Sequence, residues 1–307
     1  NDTIKLIDYE NINKNEFLVI NQFTIIQDNH NRRPDLIVFI NGLPIGLIEL
    51  KNPTDEKTSL ESAYKQIETY KTEIQNLLCY NEIIILSDGT FASAGTLTST
   101  REWYLPWKTV NGKQITNISQ IEVLVKGMFQ KEKILDLIKY FITFSTSRKK
   151  TIKLIAGYHQ YDATNEAVTK TLSAINKSKK IGIVWHTQGS GKSLTLAFYT
   201  GKLQQQEKLN NPTIVILTDR NDLDDQLFNT FSGIECLREK PVQATSKEKL
   251  KELLRRASGG IIFTTIQKFG TEEGKLEILL DRSNIIVAAD EAHRTQYGFK
   301  AKVTNDQ

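Results

Sequence analysis

The 307-residue chain carries 40 basic and 36 acidic side chains, a net charge of +4, with 39% hydrophobic and 25% charged residues. That balance is ordinary for a soluble globular protein, and the length exceeds what one small core needs, so two domains are expected. It excludes a polyelectrolyte, no apolar run approaches the ~20 residues of a membrane span, and the opening NDTIKLIDYE lacks the pattern of a secretion signal. Cys79 and Cys236 form no ligand or disulfide spacing, which fits a reduced, cytoplasmic setting. The chain has no initiator methionine and closes on AKVTNDQ without a helix or strand stop. It therefore reads as part of a longer polypeptide.

In the first half, DLIVFI (35–40) and PIGLIEL (44–50) are strand-like runs separated by Asn41-Gly42, a strong hairpin signal. Side chains alternate along a strand, so Glu49 and Lys51 share a face. Across the hairpin, Asp35 opens the partner strand and lies beside Glu49. Two carboxylates ~4 Å apart repel by about 4 kcal/mol at a near-surface dielectric. A Mg²⁺ between Asp35 and Glu49 would relieve that repulsion and activate a phosphodiester, with Lys51 orienting water or stabilising charge. The plainer alternative is a surface Glu–Lys pair of little energetic weight. TSLESAYKQIETYKTEIQNLL (58–78) is an amphipathic helix, with Leu60, Ala63, Ile67, Tyr70, Ile74 and Leu77 on one face and Gln66 four residues before Tyr70. EIIILS (82–87) is a buried strand. In REWYLPW (101–107), Trp103, Tyr104 and Trp107 either stack on bases or, as favoured, pack one domain onto the other. QKEKILDLIKYFITF (130–144) reads as a second helix, and the polar run STSRKK after it sets a domain boundary near 148.

The second half alternates apolar runs, IGIVW (181–185), TIVILT (213–218), GIIFTT (260–265) and NIIVAAD (284–290), with polar helical segments. This is the pattern of a parallel sheet covered on both faces, with ligands at the strands' carboxyl ends. Between IGIVW and a helix lies HTQGSGKSLT (186–195). Gly189 and Gly191 let successive amides turn toward an anion, Lys192 adds a charge for the β- and γ-phosphates, and Ser193 offers a hydroxyl to Mg²⁺. Thr187 and Ser190 complete that ATP-binding loop, while His186 replaces the usual first glycine. Asp290 and Glu291 end the last strand. Asp290 suits the ATP-bound Mg²⁺, and Glu291 suits polarisation of the attacking water.

TQGSGKS and DEAH resemble motifs I and II of superfamily 2 helicases. IVILTDRNDLDDQL (214–227) and IIFTTIQKF (261–269) resemble motifs Ia and Ib of the restriction (R) subunit of type I restriction–modification enzymes, the HsdR family. The resemblance implies DNA-backbone contacts from Thr218, Arg220, Thr264, Thr265 and Gln267, and coupling of ATP hydrolysis to DNA through His293. GYHQYDA (157–163) resembles the family's adenine-recognition segment, with Gln160 as the amide, although an ordinary surface glutamine fits nearly as well. Asp35, Glu49 and Lys51 match the PD-(D/E)xK nuclease pattern, and Gln66 with Tyr70 the QxxxY element beside it. Glu10 is a weak further metal-ligand candidate. The implied organisation is an α/β PD-(D/E)xK endonuclease domain over 1–148, a linker with the adenine segment over 149–180, and a first RecA-like domain over 181–307, the second RecA-like domain lying outside the sequence. The implied activity is ATP-dependent translocation of double-stranded DNA and Mg²⁺-dependent cleavage away from the recognition site, alongside modification and specificity subunits and without a membrane. A stand-alone DNA-repair helicase–nuclease is the alternative.

Overall fold

The computed structural model describes residues 5–52, 59–147, 150–187, 189–218, 221–269 and 282–290, with the side chains of 221–226 left out. It divides into two compact units, Asn1–Ala163 and Thr164–Gln307. That division falls later in the chain than the break expected from composition. Among the described residues no helix is long and apolar enough to cross a membrane.

In chain order the first unit has β1 (Phe17–Asn21), a small hairpin of β2 (Ile25–Gln27) and β3 (His30–Arg32), β4 (Leu36–Ile40), β5 (Leu43–Leu50) and α1 (Leu60–Glu73). Then come β6 (Ile83–Ser87), β7 (Ala92–Gly95), a ribbon of β8 (Thr109–Val110) and β9 (Lys113–Gln114), α2 (Gln120–Met128), α3 (Lys131–Asp136), β10 (Ile142–Ser147) and β11 (Lys150–Ile155). Helix α4 (Tyr158–Ala174) follows. The main sheet runs β1-β4-β5-β6-β7, and only β5 and β6 are parallel.

The β4–β5 turn forms as its sequence dictates. Asn41 and Gly42 have φ of +52° and +80°, the left-handed pair that a two-residue hairpin requires. Asn41 also accepts a hydrogen bond from the Glu16 amide and donates to the Leu6 carbonyl, which ties the turn to the segments leading into β1. Because β5 and β6 are parallel, the chain must cross over between them, and α1 lies in that crossover. A capping box of Ser59 and Ser62 starts α1. Its buried face, Ala63, Ile67 and Tyr70, joins Ile37, Leu47, Ile84 and Leu86 in one core.

One expectation for this unit needs correction. The helix expected over 130–144 is short: α3 passes through a π turn at Leu137–Phe141 into β10, which pairs antiparallel with β11 from Ile142↔Ile155 to Ser147↔Lys150. The β-branched and aromatic residues Ile142, Thr143 and Phe144 satisfy strand geometry once a partner is present. Tyr104 packs edge-on against Tyr64 and Trp107 lies 5.6 Å from Tyr161, all within the first unit, while Trp103 is exposed.

The second unit contains α5 (Lys192–Leu203), β12 (Thr213–Thr218), α6 (Asn221–Gly233), β13 (Val242–Gln243), α7 (Lys247–Leu254), β14 (Ile261–Thr265) and β15 (Ile285–Ala289). Its sheet is parallel throughout, in the order β13-β14-β12-β15. Ala197 and Leu203 of α5 pack with Ile214, Ile216, Phe231 and Phe263. IGIVW is a further correction. Residues 181–185 form no strand, and Ile183 and Trp185 are 92% and 90% exposed. Apolar, β-branched composition favours a strand only where a neighbouring strand supplies the hydrogen bonds and the cover.

Gly127 lies on α2 directly beneath the Trp107 indole, where any Cβ would overlap the ring and come 2.6 Å from the Thr109 carbonyl that accepts the indole N–H. Gly127→Ala is expected to lower stability by about 1–3 kcal/mol, the range of an overpacked core, read as a lower urea midpoint at unchanged slope.

Candidate functional site

The β4–β5 pairing runs Leu36↔Ile48, which sets Asp35 beside Glu49. Glu49 follows Leu47 on the α1 side of the sheet and is only 3% exposed. Its Oε1 accepts from Lys51 Nζ at 2.7 Å and its Oε2 from the Tyr70 hydroxyl at 3.2 Å. The Lys51 amide donates to the Ser87 carbonyl at 2.8 Å. That bond continues the β5–β6 ladder past Leu50 and keeps Lys51 on the face of Glu49. Gln66 hydrogen-bonds the Tyr70 phenol. The structure thus brings together all five residues that the sequence assigned to this site.

Electrostatics fit a cation-binding role. Burial raises the Glu49 carboxyl above its ordinary value of 4.5, the Lys51 hydrogen bond opposes the rise, and the charge of Asp35 adds to it. Burial, and then the neighbouring Glu49 charge, push the Tyr70 phenol far upward, so it stays a proton donor. Two carboxylates from adjacent strands, one buried and repelled by the other, are the donors a hard divalent ion takes. Among the described residues no group of three His, Cys, Asp or Glu side chains gathers as a metal cluster.

Sequence reading missed the partners that orient Asp35. Its Oδ1 accepts from Gln22 Nε2 and its Oδ2 from the Leu50 amide, each at 2.8 Å. Backbone amides carry no sequence signal, and Gln22 lies just after β1, whose pairing with β4 no local motif announces. Glu10 donates its amide to Asp8 and lines a separate groove at the other end of β5, with Leu43, Ile45 and Glu82.

In the second unit, Gly189 and Gly191 have φ of +80° and +79°. No atom lies within 4 Å of a Cβ on Gly189, so conformation alone demands glycine there. Ser190 donates both its amide and its hydroxyl to the Thr187 carbonyl. Gly191 caps α5, which opens with the half-buried Lys192 and Ser193. The positive end of that helix dipole therefore adjoins the loop. Asp290 directly follows β15, and its amide donates to the Leu217 carbonyl of β12 at 2.8 Å. Gln160 is buried at the start of α4, where its Oε1 accepts from the Gly157 amide. Thr218, Thr264 and Thr265 are buried at the strand ends, while Gln267 is exposed. Arg220, Glu291 and His293 lie outside the described residues.

Two protein families match the chain. The type I restriction enzyme R protein N terminus matches residues 1–103, and the SWI2/SNF2 ATPase matches residues 159–306. The HindI type I restriction enzyme endonuclease subunit of Haemophilus influenzae is 46% identical over 99% of this chain and 30% of its own length. An endonuclease subunit of Methanocaldococcus jannaschii, MjaIXP, is 39% identical over 97% of this chain and 30% of its own. One from Staphylococcus aureus, SauMSSORF170P, is 27% identical over 96% and 31%. The chain therefore spans about a third of the length of these relatives.

A raised carboxyl binds its proton more tightly in the folded state, so the Glu49 contribution to stability falls as pH climbs from 4.5 through the raised value. Glu49→Gln removes that dependence. Without divalent metal, its stability relative to wild type is expected to increase with pH across this window and then level off, as read from urea midpoints at successive pH values.

Proposed function

This chain belongs to the type I restriction enzyme R protein family, and from that premise we propose that it supplies the DNA-cutting and ATP-consuming core of a restriction endonuclease subunit. The observation that carries the nuclease half is the meeting of Asp35, Glu49 and Lys51, backed by Tyr70, at the ends of paired strands. The first unit is accordingly a PD-(D/E)xK nuclease and the second a RecA-like motor domain. Cleavage takes place on double-stranded DNA, in the cytoplasm.

Asp35 and Glu49 hold the nuclease magnesium, which when bound polarises a phosphodiester oxygen and acidifies its water. Lys51, held at Glu49 by the 2.7 Å ion pair, orients the attacking water and offsets charge gathering on the phosphate. Tyr70, itself bonded by Gln66, restrains the second oxygen of Glu49. In the motor domain the amides of Gly189–Lys192, with Thr187 and Ser190 shaping the turn, wrap the triphosphate of ATP. Lys192 pairs with the β- and γ-phosphates, Ser193 and Asp290 serve the nucleotide's magnesium, Gln160 reads adenine, and Glu291 activates water. Arg220 and Gln267 meet the DNA backbone, and Thr218, Thr264 and Thr265 do so when their strand ends are uncovered. His293 links those contacts to hydrolysis. ATP turnover then drives translocation of the duplex, and cutting occurs away from a site read by a specificity subunit beside a modification subunit.

The test separates the two chemistries in the full-length subunit assembled with its partners on supercoiled DNA. Lys192→Ala is expected to abolish both ATP hydrolysis and cutting. Asp35→Ala is expected to keep hydrolysis at the wild-type rate while cutting falls by about 10²-fold or more, as for loss of a principal electrostatic group. Persistent cutting by Asp35→Ala would remove the nuclease assignment.

A further inference from the structure

Gln22 is the residue just after β1, and the β1–β4 register, Asn21↔Leu36, sets it directly opposite Asp35. Its amide donates to the Asp35 carbonyl at 3.0 Å and its Nε2 to Asp35 Oδ1 at 2.8 Å. Main chain and side chain are thus both directed to one residue. Gln22 does this at φ +50°, a left-handed conformation that residues other than glycine, asparagine and aspartate adopt uncommonly. It is also exposed, so nothing about core packing calls for a glutamine there. A non-glycine residue in a disfavoured backbone well, with its polar groups turned to a carboxylate at a candidate metal site, is where functional strain is found.

The opposite side of the same carboxylate is held by β5. Asp35 Oδ2 accepts from the Leu50 amide at 2.8 Å. The torsion that turns an aspartate carboxylate is broad and weakly restrained. Two donors on opposite oxygens from two different strands convert it into one fixed orientation, and each oxygen keeps a lone pair for another partner.

We infer that Gln22 is a positioning residue that fixes the plane of Asp35 for a divalent cation. This rests on the nuclease reading above, because it gives the clamp a reason to exist. Gln22 touches neither phosphate nor metal; it acts through Asp35. Removing its side-chain donor leaves Asp35 in place but lets the carboxylate swing, so a smaller fraction of molecules presents it to the ion.

The test uses the full-length subunit and Mn²⁺ as probe, read by the electron paramagnetic resonance of the free ion. Gln22→Met keeps the side-chain length without the donor. Gln22→Gly also relieves the left-handed backbone, which guards against a variant that fails to fold. Both are expected to weaken Mn²⁺ binding about three- to tenfold, the span of one lost hydrogen bond of ordinary net strength. Melting in EDTA is expected to stay near wild type for Met and at or above it for Gly. Cutting should recover at saturating Mg²⁺, with ATP hydrolysis unchanged. Wild-type Mn²⁺ binding in both variants, or lost binding that tracks lowered melting in both, overturns the positioning role. Asp35→Asn separates the premises: if it leaves Mn²⁺ binding intact, the metal site itself is wrong, whereas if it abolishes binding, only Gln22 is on trial.

Discussion

One buried carboxylate organises the first unit. Glu49 occupies the α1-facing side of β5, two residues after Leu47, where the alternation of the strand would otherwise place another aliphatic side chain. A lone charge in that position is expensive. Lys51 and Tyr70 each satisfy one of its oxygens, yet its carboxyl is still raised. Burial is the main cause of that rise, and the charge of Asp35 across the β4–β5 pair adds to it. Stability alone does not explain retaining two carboxylates on adjacent strands. The two carboxylates are the donors that the proposed divalent cation would take.

That arrangement depends on register, and register depends on a two-residue turn. Asn41 and Gly42 supply the left-handed geometry that lets β4 and β5 pair closely. A slip by one residue would send Glu49 to the opposite face and leave Tyr70 opposite an apolar side chain. The register shift between Val38 and Phe39 lies between the turn and the carboxylates. The distance from turn to site is thus set jointly by turn type and bulge. The ladder continues through the Lys51 amide to Ser87, so the cation follows the same rule of alternation as the carboxylate it pairs with.

Local grammar explains which features were legible in the sequence. The Asn-Gly turn, the α1 face from Leu60 to Tyr70 and the left-handed Gly189 and Gly191 are each specified by residues a few positions apart, whereas α1 itself ends at Glu73, short of the 78 expected. Asp35 and Glu49 are further apart in sequence, but the hairpin makes them neighbours by simple counting. Gln22 needs the β1–β4 pairing, which joins segments across the β2–β3 hairpin, so its amide looked like any exposed glutamine. The IGIVW run and residues 142–144 failed in opposite directions for one reason. Strand propensity is realised only against a partner: Ile142–Phe144 had one in β11, whereas residues 181–185 have none among the described residues.

The threonines of the second unit mark a different boundary between pattern and structure. A family motif transfers residue type and position, but hydrogen bonding to a phosphate also requires that the hydroxyl reach solvent. Thr264 is fully buried and Thr218 nearly so, whereas Gln267, on the turn after β14, is exposed. Hydroxyls at the carboxyl ends of β12 and β14 stand where a parallel sheet places its ligands, so their position carries information even while their exposure does not.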